Sequence, residues 1–100
     1  MRRFRVVFSK TASRDLQRLA SFLRERGAAE ARLVEPTLRA AVDTLKRLPF
    51  LGRPALGQDD LSLRELLVPF GATGYVLLCR VANGEVRVLA ARHQLQGRFQ

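Results

Sequence analysis

Apolar residues recur along this chain with two different periods. Between Arg3 and Phe8 the run FRVVF reads as a short apolar strand. Ser9, Thr11 and Ser13 follow, each a candidate helix N-cap. Ala12, Leu16, Leu19, Ala20 and Leu23 then fall on one face of a helix, with Arg14, Arg18 and Arg24 opposite. Gly27 supplies a stop. A second helix is expected from near Ala28, with a stripe of Ala31, Val34, Leu38, Ala41, Val42, Leu45 and Leu48, ending at Pro49 and Gly52. Pro36 lies inside it and removes a hydrogen bond. The stripe stays in phase across the proline, so the expectation is one kinked helix rather than a separate turn over residues 28–34.

From Leu63 the pattern changes to short apolar runs split by glycine turns. Leu63–Pro69 is the first, with Leu63, Glu65 and Leu67 on one face and Arg64, Leu66 and Val68 on the other. The chain turns around Gly71 between Phe70 and Thr73. Gly74–Ala82 is almost wholly apolar, as a central strand should be. Asn83-Gly84 signals a type I′ hairpin. Glu85–Arg92 follows, with Val86, Val88 and Ala90 pointing one way and Arg87, Leu89 and Ala91 the other. Phe50–Ser62 reads as a loop between helices and meander. Neither helical stripe can be buried by the hairpin alone, so a sheet must cover it. The expected fold is α+β: an N-terminal strand, a helical hairpin and a three-stranded antiparallel meander (βααβββ). The helices pack on a four-stranded, mainly antiparallel sheet. One hundred residues make a single domain, 1–100.

Charge narrows the partners. The net charge is +9, and of 18 Lys and Arg only Lys10 and Lys46 are lysine. Most of the excess lies in residues 1–48. Such a balance suits nucleic acid or an acidic protein segment, and suits equally a solvated helix face. The single cysteine, Cys79, excludes an intrachain disulfide framework and a cysteine-rich zinc site. The basic start lacks the apolar run of a signal peptide, and no stretch is long enough to span a membrane. A cytoplasmic home is expected.

Arg64, Arg80 and Arg92 fall one on each meander strand, so adjacent strands could gather them on one face. Clustered guanidinium forks suit phosphate or carboxylate. The alternative is a structural network in which Glu65, or Asp59 and Asp60, pair with them and pin the loop. His93 is the only histidine. Beside Arg92 it would favour the neutral form and could act as a base, but no acid or nucleophile is paired with it in sequence. Cys79 and Tyr75 read first as core. Nothing resembles a P-loop, a zinc motif, a Ser-His-Asp set or a dinucleotide fingerprint.

Several segments taken in order carry a further signal. These are an A-x-x-D-L-x-x-L helix from Ala12, Pro49 to Pro54 with Gly52-Arg53-Pro54, LRELLVP, GYVLLCR, and Arg92-His93-Gln94. Singly they are loose; together, over essentially the whole chain, they resemble the RelE/ParE superfamily of small bacterial toxins. RelE-type members cleave mRNA in the ribosomal A site by attack of a ribose 2′-hydroxyl on the adjacent phosphate, which takes a base and cations around the developing charge. This chain departs from that set. It has Arg64 but no lysine on the first meander strand, Val76 after Tyr75, Leu95 and Gln96 after the Arg-His-Gln, and Phe99 where a tyrosine is wanted. It is closer to the ParE branch, which poisons DNA gyrase by contact. The resemblance implies a cognate, acidic antitoxin that folds on binding. Phe22, Phe50, Leu51, Arg53, Arg64, Arg80 and Arg92 are the candidate antitoxin contacts. If the chain is instead a ribosome-dependent mRNA endoribonuclease, Arg64, Arg80, Arg92 and His93 are its catalytic candidates. No cofactor or metal is implied.

Overall fold

A computed structural model describes residues 3–27, 29–55, 60–70 and 73–94. The chain runs β1 (Arg5–Phe8), α1 (Lys10–Glu25), a 3₁₀ turn (Ala29–Leu33), α2 (Val34–Arg47), β2 (Arg53–Pro54), β3 (Leu63–Phe70), β4 (Thr73–Ala82) and β5 (Glu85–His93). The architecture is the expected α+β. Three details differ from the sequence reading.

The first concerns Pro36. No kinked helix crosses it. Residues 29–33 form their own 3₁₀ turn, and α2 begins at Val34, which places Pro36 in its first turn. The first amides of a helix have no partner inside it, so proline costs little there. The in-phase stripe was real, but a 3₁₀ turn feeding a helix keeps nearly the same face inward.

The second concerns the sheet. Among the described residues it has five strands, in the order β1-β5-β4-β3-β2, not four. The extra strand, β2, lies within the segment read as a loop and pairs antiparallel with β3, Arg53 against Glu65 and Pro54 against Arg64. Two residues are too few to leave a periodic signal. Pro54 fits because β2 is an edge strand, where a missing N–H breaks no ladder. β1 runs parallel to β5; the other pairs are antiparallel. Asn83 and Gly84 make the β4–β5 turn with φ of 53° and 74°, the left-handed pair of a type I′ hairpin.

Both helices lie on one face of the sheet. Ala12, Leu16 and Leu23 of α1 and Val34 and Leu45 of α2 meet Val68, Tyr75, Leu77, Cys79, Val81, Val86 and Val88 in one core. The opposite face carries Arg5, Arg53, Glu65, Leu67, Val76, Leu78, Arg80, Arg87 and Arg92, as the strand registers require.

β5 does not keep simple alternation. Cys79 pairs with Val88 but Leu78 pairs with Ala90, so Leu89 is an extra residue, a β-bulge. Beyond it the faces exchange. Ala91 and His93 turn toward the helices, and Ala90 and Arg92 toward the open face, which corrects the expected grouping of Val86, Val88 and Ala90. α1 holds the bulge from above. The Ser9 hydroxyl donates to the Leu89 carbonyl at 2.9 Å, and the Ala91 amide donates to Asp15 Oδ2 at 2.9 Å. Ser9 also caps α1, its Oγ accepting from the Ala12 amide at 3.0 Å.

Candidate functional site

The Gly-Arg-Pro element shows how the sequence builds one corner of the molecule. A Cβ at Gly52 would sit 2.6 Å from the Glu65 carbonyl oxygen, so only glycine lets this segment lie against β3. Arg53 then donates from Nε to Glu65 Oε1 at 3.2 Å; the Glu65 side chain is fully buried while Arg53 is half exposed. A buried carboxylate needs such a partner.

Arg64 secures the same corner from the other side. Its Nε donates to the Leu61 carbonyl at 3.0 Å and Nη1 to the Gly52 carbonyl at 3.4 Å. Its guanidinium lies 5.2 Å from the centre of the Phe50 ring. Just before Gly52, Leu48, Phe50 and Leu51 stand half exposed. The docked glycine and the arginine thus present a short apolar ridge on a fixed base. Leu48 belongs to this ridge and was read from the sequence only as the last residue of a buried stripe; α2 ends at Arg47 and releases it to the surface. Phe22 is also exposed, on a flank of α1, with Arg26 4.3 Å over its ring.

The expected gathering of Arg64, Arg80 and Arg92 does not occur. Arg64 is opposite Cys79, on the helix face. Arg80 is opposite Leu63 and Arg87, and Arg92 opposite Val76, both on the open face. Four residues of β4 separate the Arg80 and Arg92 positions, roughly 13 Å along a strand. His93 pairs with Tyr75 and points to the helix side, back to back with Arg92. The cause is alternation plus the bulge.

Arg80 is instead engaged with Asp60, Nη1 to Oδ2 at 2.9 Å. Asp60 also accepts from the Ser62 hydroxyl and amide, and these two bonds, then Arg80, hold its carboxyl below the ordinary value of 3.8. Glu85 receives both Arg5 and Arg87. Of the structural network foreseen, the Asp60–Arg80 pair is present, and Glu65 takes Arg53, a partner not foreseen for it; Asp59 lies outside the described residues, as do Leu95, Gln96 and Phe99. Tyr75 is fully buried, and burial pushes its phenol up to about 12. Burial does the same to Cys79, also to about 12. Neither is placed to meet a substrate. Among the described residues no three His, Cys, Asp or Glu side chains gather to hold a metal ion. Among the described residues no helix is long and apolar enough to cross a membrane.

What the sequence reading missed is the pair Ser9 and Asp15. Both were noted, one as a cap and one inside the A-x-x-D-L-x-x-L helix, but nothing in their spacing announces a bulge on a strand some 75 residues away.

Comparison with known proteins agrees with the fold. The family model of the ParE toxin of the type II toxin–antitoxin system parDE matches residues 6–97. Toxin RelE1 of Caulobacter vibrioides is 37% identical over 95 residues, which cover 95% of this chain and 98% of that protein. Toxin RelE3 of the same organism is 34% identical over 93 residues, covering 93% and 97%. Among solved structures, a chain of the chromosomal ParDE system from P. aeruginosa superposes with a TM-score of 0.65 over 90% of this chain and 95% of its own. Its identity is 15%, a likeness of fold alone. A chain of the toxin–antitoxin complex RelBE2 from Mycobacterium tuberculosis gives 0.61 at 25% identity, over 91% of this chain and 98% of its own.

Proposed function

The chain belongs to the RelE/ParE family of toxins from type II toxin–antitoxin systems, and from that premise we propose that it arrests growth as ParE-type toxins do, by binding DNA gyrase in the cytoplasm, and is silenced by a cognate antitoxin. The observation that carries this reading is the dispersal of the arginines. Cleavage at a phosphate takes a base and cations converging on one group of atoms. Arg64 on the helix face, and Arg80 and Arg92 far apart on the open face, offer no such convergence. Recognition by contact makes no demand of that kind.

The antitoxin is proposed as an acidic segment that orders on binding. Its apolar residues would cover the Leu48, Phe50 and Leu51 ridge and Phe22, and its carboxylates would meet Arg53, Arg64, Arg80 and Arg92. A second reading, a ribosome-dependent mRNA endoribonuclease, is favoured by one fact: the two curated relatives are RelE toxins. It would use Arg64, Arg80, Arg92 and His93.

Pulse labelling after induction without antitoxin separates the two. Early arrest of DNA synthesis with translation continuing is expected, together with DNA cleavage by gyrase when the purified chain is added. Early arrest of translation with cut mRNA would overturn the gyrase reading in favour of the second.

A further inference from the structure

The two helices differ in the charge of their first turns. α2 has Glu35 in its first turn and Lys46 and Arg47 in its last, and Glu35 pairs with Arg39 one turn on. That arrangement opposes the helix dipole and supports the helix. α1 differs at its start, although its last turn carries a base, Arg24, as that of α2 does. Its first turn holds no acid and begins with Lys10, and Arg14 and Arg18 follow at four-residue steps. Like charges so spaced, near the positive end of the dipole, weaken a helix. Neither the Lys10 nor the Arg14 side chain makes an ion pair or hydrogen bond among the described residues. Arg18 has only Asp15 Oδ1, at 3.9 Å. Asp15 itself is turned to the sheet, holding the Ala91 amide. Helix stability therefore does not account for these three cations.

They share one surface. Lys10, Arg14, Gln17, Arg18, Ser21 and Glu25 lie on the side of α1 directly opposite Ala12, Leu16 and Leu23, which face the core. Arg14, Gln17, Arg18, Ser21 and Glu25 line a shallow open depression there. The surface holds no apolar side chain. A folding protein segment would need apolar or aromatic anchors, and those of this molecule stand elsewhere, on the Leu48–Leu51 ridge and at Phe22. Arginine, lysine, serine and glutamine are the side chains that bind phosphate and sugar. The three cations rise about 6 Å per four-residue step and shift about 40° round the helix at each, a slanting positive row some 12 Å long.

We propose that the outward face of α1 docks the phosphate backbone of duplex DNA, without reading sequence. This is a binding property beyond the toxin activity and does not depend on whether gyrase or the ribosome is the target.

The test is anisotropy of a labelled duplex of arbitrary sequence, titrated with the full chain between 50 and 200 mM salt. Three phosphate contacts predict that α1 contributes about −2.7 to the slope of log K against log salt, about a 40-fold loss of affinity over that range. Lys10→Gln, Arg14→Gln and Arg18→Gln should each remove about 0.9 of slope, and together about 2.7. Arg47→Gln, an equal loss of charge at the exposed end of α2, should change the slope far less. The Tm of the α1 variants should hold or rise, because removing cations from this end relieves the helix. Equal effects from Arg47→Gln and the α1 variants would reduce the binding to net charge and overturn the proposal. So would competition by polyglutamate as strong as that of unlabelled duplex at equal charge, which would assign the face to an acidic protein. A fall in Tm would show that these cations serve the fold and remove the premise.

Discussion

Replacing Asp15 by alanine removes the acceptor for the Ala91 amide, 2.9 Å away, at the point where β5 bulges. Ala91 is half buried and packs against the core. A partly buried amide that loses its partner costs about 1–3 kcal/mol. Asp15 also faces Arg18 at 3.9 Å, but that pair is exposed on the arginine side and contributes only a few tenths of a kcal/mol. The expected destabilisation is thus about 2 kcal/mol, a large share of the ~5–15 kcal/mol that holds a domain this size together. It corresponds to a fall of about 10 °C in Tm.

The companion change Ser9→Ala removes a helix cap and the hydroxyl bond to Leu89, at about 1 kcal/mol for each. Because both side chains secure one bulge, the double variant should lose less than the sum of the singles. Urea unfolding gives the free energies, and amide hydrogen exchange at Ala91 gives the local reading. Asp43→Ala is the control, an exposed carboxylate whose side chain bonds nothing among the described residues; it should cost less than about 0.5 kcal/mol. If Asp15→Ala costs no more than that control, and Ala91 exchanges as before, the account of the bulge is refuted.

Three further outcomes follow from geometry already described. Gly52→Ala drives a Cβ to 2.6 Å from the Glu65 carbonyl, backbone that cannot yield, and should cost about 1–3 kcal/mol, read as a loss of urea midpoint. Asp60 should titrate below 3.8; since its folded value is depressed, its contribution is present above the unfolded value and lost as pH falls through the folded one, and carbon-13 NMR should show Ser62→Ala returning it toward 3.8 further than Arg80→Ala does. Cys79, 1% exposed and with its thiol pushed up to about 12, should resist a disulfide reagent at pH 8 until the chain unfolds, so labelling at the rate of an exposed thiol would place it outside the core.

Long periodic segments were legible in the sequence, and short exceptions were not. The α1 stripe, the apolar β4 run and the Asn83-Gly84 turn each repeat a rule over enough residues to be read alone. Pro36 was misjudged because a 3₁₀ turn followed by a helix preserves the stripe that a kinked helix would show. β2 was missed because two residues have no period, although Gly52 and Pro54 are both explained by it: one touches β3 and the other lies on an edge that does not need its N–H.

The candidate site turned on the least legible feature of all. Strict alternation from Val86 and Val88 would have put Arg92 on the helix side and His93 on the open face. One extra residue, Leu89, exchanges them, so Arg92 joins Arg80 and Arg87 on the outer face and His93 turns toward Tyr75. A bulge leaves backbone groups without ladder partners, and it persists only if something else receives them. Here the receivers are Ser9 and Asp15, from the opposite end of the chain. Which face Arg92 takes was therefore decided by two polar residues, the N-cap of α1 and one in its first turns, that carry no sign of it locally. The same logic bears on function. Any change that lets β5 regain its register, the loss of Asp15 above all, should move Arg92 off the surface and weaken whatever partner that face holds. Arg92 would be untouched in the sequence.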